Sequence, residues 1–280
     1  MTILFFGSSA YSVIVLQALL KAGYQPTVIT TPPKPSGRSR QPTPNPLHQF
    51  SQAQSLTLHL ANQIPSTSVD LIISADYGLK IPQKTLNLAK IGALNIHPSL
   101  LPKYRGAAPV PHALLAGEAQ TGITIIQMTN KIDAGPIITQ QTIPISPQDN
   151  AETLLKKCFT LGSKLLIKIL PGYIEHKITP KPQPTKSPTA YSRRFTKQDG
   201  FISWTSFKSA LSTNGRQLNN KIRALHPWPG VYTLMPNHKT LKLLSARLER
   251  NKLLPTSVQL AGKQPISWQQ FLAGYKHLVK

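Results

Sequence analysis

The regular alternation of short apolar runs with amphipathic stretches is the strongest constraint on the fold of this chain. Residues 2–6, TILFF, form an apolar run closed by Gly7, and 11–22 follow with Val13, Leu16, Leu19 and Leu20 at helical spacing before Gly23. That is the order strand, tight turn, helix and cap. Residues 27–30, 69–74 and 93–97 repeat the apolar-strand pattern, with a helical stretch at 84–89. Apolar strands that alternate with helices predict a doubly wound, mostly parallel α/β sheet. Residues 31–46 read as a proline-dense loop carrying Lys34, Arg38 and Arg40. Residues 123–129 and 135–145 read as later strands, and 151–170 as a long helix containing Cys158. The stretch TPKPQPTKSP at 179–188 holds four prolines in ten residues and predicts an extended linker. A polar helix around 209–225 and strand-like pieces from Val231 follow. The expected division is an α/β domain over 1–179, a Pro-rich linker over 180–199 and a small, basic, β-rich domain over 200–280.

Charge narrows the partners. The chain carries 32 Lys and Arg against 9 Asp and Glu, a formal net charge of +23. Only 15% of residues are charged, against about a quarter in an ordinary domain, so acids are scarce rather than bases abundant. The excess is uneven: residues 1–150 hold 10 basic and 5 acidic residues, and 151–280 hold 22 and 4. Such a surface attracts polyanions, nucleic acid first among them. A compositional bias that swaps Glu for Gln, Asn and Thr is the competing explanation, and it leaves the skew unaccounted for. The hydrophobic content of 40% excludes a disordered basic tail. The single Cys158 excludes a disulfide framework and a Cys-rich zinc site, and suits a reducing cytoplasm. No apolar run reaches the ~18 residues of a membrane span. The apolar start has no basic residue before Lys21, which does not fit a secretory signal.

Two places invite a ligand. The turn after the first strand reads GSSAYS, without the second and third glycines of a dinucleotide fingerprint, so a nucleotide there is poorly supported. The segment GALNIHPSLLPKYRGAAPV at 92–110 is more specific. Asn95 and His97, two apart on a strand, share a face, and Pro98 stops the strand and puts both at its C-terminal edge. An amide donor beside an imidazole suits a developing oxyanion. Asp133, in KIDAGPI, is one of few acids and sits just before a glycine turn. It is either a turn-former or a carboxylate that pairs with the imidazole and relays protons. No His/Asp cluster with metal-ligand spacing is present, and no metal is expected.

The run from Asn95 to Pro102, NIHPSLLP, with the Asp-x-Gly at 133–135, resembles the folate-dependent formyltransferase family. RGAAPV at 105–110, Tyr77-Gly78-Leu79 with Pro82, Pro35-Ser-Gly-Arg38 and IRALHPWPG at 222–230 extend the resemblance over nearly the whole chain. They narrow it to the branch that acts on charged initiator tRNA; the central motif alone is shared with formyltransferases of purine precursors and sugars. The resemblance implies that Asn95, His97 and Asp133 are catalytic. It implies that Ser99, Leu100, Leu101 and Pro102, with Tyr77 and Gly78, bind the folate, and that Lys34, Arg38 and Arg40 meet the acceptor stem. It further implies a C-terminal module of OB type that contacts tRNA. The reaction implied moves a formyl group from 10-formyltetrahydrofolate to the α-amine of methionyl initiator tRNA, in a cytoplasmic monomer without a membrane or metal.

Four departures stand out. Ser8-Ser9 replaces the family's Thr-Pro, Pro33 replaces an Asp, Asp76 replaces a small apolar residue, and the region between Leu244 and Gln259 reads as a reduced barrel. The alternatives are a formyltransferase of a small amine, hydrolysis of the folate with water as acceptor, and a non-catalytic RNA-binding protein. The last gives no reason for Asn95, His97 and Asp133 to converge.

Overall fold

The computed structural model describes residues 1–36 and 40–279. They form two compact units interleaved in sequence: Met1–Ala107, Thr121–Pro144 and Leu155–Tyr191 in the first, Ala108–Gln120, Ile145–Leu154 and Ser192–Lys280 in the second. The elements, in chain order, are β1 (Ile3–Phe6), α1 (Ala10–Lys21), β2 (Thr27–Thr30), β3 (Lys34–Ser36), β4 (Gln41–Thr43), α2 (Pro46–Ala53), β5 (Leu58–Leu60) and β6 (Val69–Ala75). Then come α3 (Gln83–Leu86), β7 (Ala89–His97), α4 (Pro109–Ala116), β8 (Gln120–Gln127), β9 (Ile137–Pro144) and α5 (Ala151–Ile174). The chain closes with α6 (Trp204–Ser212), α7 (Gly215–Ala224), β10 (Val231–Leu234), β11 (Thr240–Glu249), β12 (Lys252–Leu260), β13 (Ile266–Ser267) and α8 (Trp268–Val279). None of the described helices is long and apolar enough to cross a membrane.

The first unit is built on a seven-stranded sheet in the order β5-β2-β1-β6-β7-β8-β9. Every pairing from β5 to β7 is parallel, and β8 runs antiparallel to β7. Alternation within β1 and β6 sends Leu4, Phe6 and Ile72 to one face, where they pack with Tyr77, Ile81, Leu86 and Ala93. Helix α5 lies on the other face, and Tyr11 of α1 stacks on Phe159 of α5 at 5.6 Å. Layers on both faces explain why the strands carry no polar alternation.

Gly7 has a packing duty. A Cβ there would lie 2.5 Å from Ser12 Cβ. Ser12 Oγ accepts the N–H groups of Ser8 (3.0 Å) and Ser9 (3.2 Å) and donates to the Ala75 carbonyl at 2.6 Å. Ser9 caps α1 in return, accepting from Tyr11 and Ser12 N–H. The turn that could have cradled a phosphate is closed on itself.

Two local readings change. The stretch 31–46 is not loop throughout: β3 and β4 pair as an antiparallel hairpin, and α2 starts at Pro46. Pro35 faces Pro42; lacking N–H groups, they fit the non-hydrogen-bonded pair of the ladder, so proline there costs no bond. The helix expected over 84–89 is four residues long, because the Leu88 carbonyl already accepts the Val69 N–H (2.9 Å) and the chain joins the sheet at Ala89.

In the second unit a four-stranded antiparallel sheet runs in the linear order β10-β11-β12-β13, with Phe207, Ile222, Leu241, Leu253, Val258 and Phe271 in its core. Four described strands in a linear order form an open meander, one strand short of an OB barrel. The region between Leu244 and Gln259 is a long hairpin, turned at Arg250 and Asn251 with φ of 46° and 65°, the paired left-handed residues of a type I′ turn. The helix read over 209–225 is two helices. They break at Thr213-Asn214, where Gly215 donates to the Asn251 carbonyl at 2.8 Å. A Cβ on Gly215 would come within 2.3 Å of Leu253 N, so glycine lets α7 start against the β12 backbone.

Candidate functional site

The site grows from the end of β7. Ile96 points into the core, where a Cβ on Gly162 of α5 would approach its Cγ2 to 2.8 Å. Asn95 and His97 therefore share the opposite face, in line with Ala93. Beyond β8 the chain folds back over that face. Met128 N–H donates to the Ala93 carbonyl at 2.7 Å and Gln127 N–H to the Pro136 carbonyl at 2.9 Å. Gly135 sits so close to the Gln127 carbonyl that a Cβ would fall 1.8 Å from its oxygen.

The fold-back carries Asp133, at φ 50°, onto the β7 pair. Asn95 Nδ2 donates to Asp133 Oδ1 at 3.3 Å. His97 Nδ1 stands 3.5 Å from Asp133 Oδ2, which also accepts the Gly106 N–H at 2.9 Å. His97 Nε2 faces the Tyr104 carbonyl at 3.0 Å. With 5% of the His97 side chain and 11% of Asp133 exposed, water screens their attraction less than at a surface. Both imidazole nitrogens face oxygen acceptors.

The strand-mouth segment is held by polar side chains of the same unit. Thr124, opposite His97 in register, donates to the Ser99 carbonyl at 2.6 Å and accepts the Leu101 N–H at 3.2 Å. Gln140 Nε2 donates to the Leu101 carbonyl at 3.0 Å. Ser99 Oγ donates to the Lys103 carbonyl at 2.7 Å, and the Pro102 carbonyl accepts from Ser187 Oγ at 2.6 Å, after a cis Leu101–Pro102 bond. Ser99 and Leu101 are buried, and Leu100 covers Gly122. Tyr77 is a core residue: its ring meets Phe6 edge-on at 5.2 Å, burial pushes its phenol up, and its carbonyl accepts Ser8 Oγ at 3.0 Å. Gly78 is exposed at φ 78°. Lys34 and Arg40 are exposed on the β3–β4 hairpin, and Arg38 lies outside the described residues.

Sequence reasoning missed Arg105 and Gln183. Gln183 Nε2 donates to the carbonyls of Asp133 (2.9 Å) and Gly135 (2.7 Å). Its Oε1 accepts Arg105 Nε (3.2 Å) and Nη2 (3.0 Å). Arg105 is buried and also reaches the carbonyls of Pro184 and Thr185. The surrounding prolines made 179–188 read as a linker; its backbone pairs instead with Ile137, through Lys181, and belongs to the first unit. Thr124, which holds the strand-mouth segment, was missed as well; its signal was a hydroxyl within the otherwise apolar run 123–126 of β8.

Comparison with known proteins agrees with this architecture. Residues 1–170 match the family described as Formyl transferase, and 194–254 match Formyl transferase, C-terminal domain. Methionyl-tRNA formyltransferase of Listeria innocua is 34% identical over 97% of this chain and 95% of its own. The protein of that name from Staphylococcus aureus is 38% identical over 90% and 81%. Among solved structures, the sugar 3N-formyltransferase WlaRD, determined with dTDP and 5-N-formyl-THF, shares the fold at TM-score 0.67 and 21% identity, covering 89% of this chain and 86% of that one. HypX of Aquifex aeolicus, in complex with tetrahydrofolic acid, shares it at TM-score 0.63 and 15% identity, over 98% and 47%. With its N- and C-terminal domains both matched and its relatives aligned over most of their length, the chain belongs to the formyl transferase family.

Proposed function

We propose that this chain transfers a formyl group from 10-formyltetrahydrofolate to the α-amine of methionine on initiator tRNA. The observation that carries the chemistry is the convergence of Asn95 and His97 on the Asp133 carboxylate. Relatives named methionyl-tRNA formyltransferase, aligned over 81–95% of their length, support the acceptor. The 22 basic residues in 151–280 suit a polyanionic one. A non-catalytic RNA-binding protein has no use for a buried imidazole clustered with a partly buried amide and carboxylate.

The donor set fits a folate. The loops after β6 and β8 leave Leu79 and Ile132 about half exposed, apolar surface for a flat ring system. The folate supplies a formyl carbon on a nitrogen that can leave. Asn95 offers its second amide N–H to the formyl oxygen, where negative charge grows as the amine attacks. His97 donates to the same oxygen from Nε2, which in the free chain faces the Tyr104 carbonyl at 3.0 Å. Asp133 keeps Nδ1 protonated, anchors the Asn95 amide and takes up, directly or through water, the proton the amine loses. One new N–C bond forms, the bond to the folate nitrogen breaks, and that nitrogen regains a proton. Each oxyanion donor is worth about 3–4 kcal/mol of transition-state stabilisation.

The test is incubation with 10-formyltetrahydrofolate and charged initiator tRNA, following N-formylmethionyl-tRNA. Formyl transfer to a small amine, with charged tRNA ignored, would reassign the acceptor.

A further inference from the structure

We infer that Gln183 is a positioning residue for the Asp133 carboxylate, acting with Arg105 as a bracket across two loops; the inference deepens the reading above and rests on it. Asp133 carries the cluster on a turn with little support of its own. Its backbone is left-handed at φ 50°, a region that Asp enters more readily than most residues with a Cβ but that remains less favourable than the right-handed one. From the inside the turn is seated by Gly135 against the Gln127 carbonyl. From the outside its two free carbonyls, those of Asp133 and Gly135, are both taken by one amide, Gln183 Nε2, at 2.9 and 2.7 Å.

The other end of that amide reaches the loop that follows β7. Gln183 Oε1 accepts two N–H groups of Arg105, and the next residue, Gly106, donates its backbone N–H to Asp133 Oδ2 at 2.9 Å. A closed circuit results: Asp133 backbone, Gln183 amide, Arg105 side chain, Gly106 backbone, Asp133 carboxylate. Only a primary amide completes it, since the circuit needs two donors on one atom and an acceptor on its neighbour. The carboxylate is thereby fixed in both position and rotation, with Oδ1 toward Asn95 and Oδ2 toward His97. Displacing such a group by 1 Å can cost on the order of 100-fold in rate, although Gln183 hydrogen-bonds to the Asp133 and Gly135 backbone and to Arg105 rather than to the three side chains it serves.

The experiment compares kcat and KM of the wild-type chain with Gln183→Met, which keeps the length and loses every hydrogen bond, and Gln183→Glu, which keeps an acceptor for Arg105 and loses both donors. Each is also built on Asp133→Ala. The expected result is a fall in kcat of about ten-fold or more for both single variants, with KM for folate and tRNA within about two-fold. On Asp133→Ala the same changes should cost less than about two-fold further, because a residue that acts through Asp133 has nothing left to position. Equal proportional losses in both backgrounds, a loss confined to KM, or wild-type turnover would overturn the proposal. So would loss of cooperative unfolding in both variants, which would assign the bracket to stability alone. Amide hydrogen exchange at Gly106 gives a readout independent of the acceptor: Gln183→Met should speed it, and unchanged protection would also overturn the bracket. If the wild-type chain formylates no tRNA while Gly106 exchange still responds to Gln183, the functional reading fails and the bracket stands.

Discussion

Asn95 and His97 hold opposite oxygens of one carboxylate: Asn95 Nδ2 lies 3.3 Å from Asp133 Oδ1, and His97 Nδ1 lies 3.5 Å from Asp133 Oδ2. The carboxylate therefore orients two donors at once, and each can be removed alone. His97→Ala is expected to lower kcat by about 100-fold or more while KM changes little, since its contact strengthens as charge develops. Steady-state formylation of charged tRNA checks this. Full turnover in the variant would make the imidazole structural.

Asp133→Asn keeps the shape and changes the sign of one contact. Asn95, Gly106 and His97 all present N–H groups to this side chain, whereas an amide has one acceptor oxygen and one donor nitrogen. At least one donor is left facing another donor. The expected outcome is a loss of about 1–3 kcal/mol in stability together with a fall in kcat of at least about ten-fold. Denaturant unfolding and kinetics on the same preparation separate the two effects.

The second unit carries a pH-sensitive clasp. Asp199 accepts Arg193 Nη1 at 2.9 Å and Thr196 N–H at 2.6 Å, and the Arg193 guanidinium, then the Thr196 N–H, hold its carboxyl well below the ordinary range. A group whose pKa is lowered by folding contributes stability in full above its unfolded value, about 4, and loses it as pH falls toward the folded one. The melting temperature of the wild type should therefore exceed that of Asp199→Asn above about pH 5, and the gap should narrow progressively as the pH falls below about 4. A gap independent of pH would assign the contribution to packing.

Binding of charged tRNA should weaken steeply with salt, because each phosphate paired with a basic side chain releases counterions. Lys34→Ala or Arg40→Ala, both on the exposed hairpin, should each flatten the slope of log K against log salt by about one contact. Arg38→Ala should impair formylation while leaving folate binding intact, because Arg38 lies outside the folate-binding segment proposed at 99–102. Equal loss of folate binding would favour a small-amine acceptor.

What the sequence displayed was periodicity and punctuation. Asn95 and His97 were readable because a strand fixes the side of every second residue and Pro98 marks its end. Asp133 was harder, since its arrival at β7 depends on a fold-back secured by the Met128 and Gln127 backbone bonds, which leave no compositional trace. Helix α4 was missed because Pro109 and Pro111 look like breakers; prolines in the first turn lose no intrahelical bond. Gln183 was masked by prolines for a related reason. Segments poor in N–H groups look unstructured, yet their carbonyls remain free to meet a buried guanidinium such as Arg105.

The Ser12 hydroxyl, bound to the N–H groups of Ser8 and Ser9 and to the Ala75 carbonyl, gives the first strand–helix unit a different vocation. In sheets of this topology that corner is the customary berth for a cofactor's phosphates. Here it is a buttress, lashed to the neighbouring strand β6, and the ligand site proposed above lies instead at the end of β7. The entrance to the fold is thus an abutment that also props the loop after β6, where Ser8 Oγ meets the Asp76 and Tyr77 carbonyls, so damage there reaches the Tyr77–Gly78 segment through the scaffold.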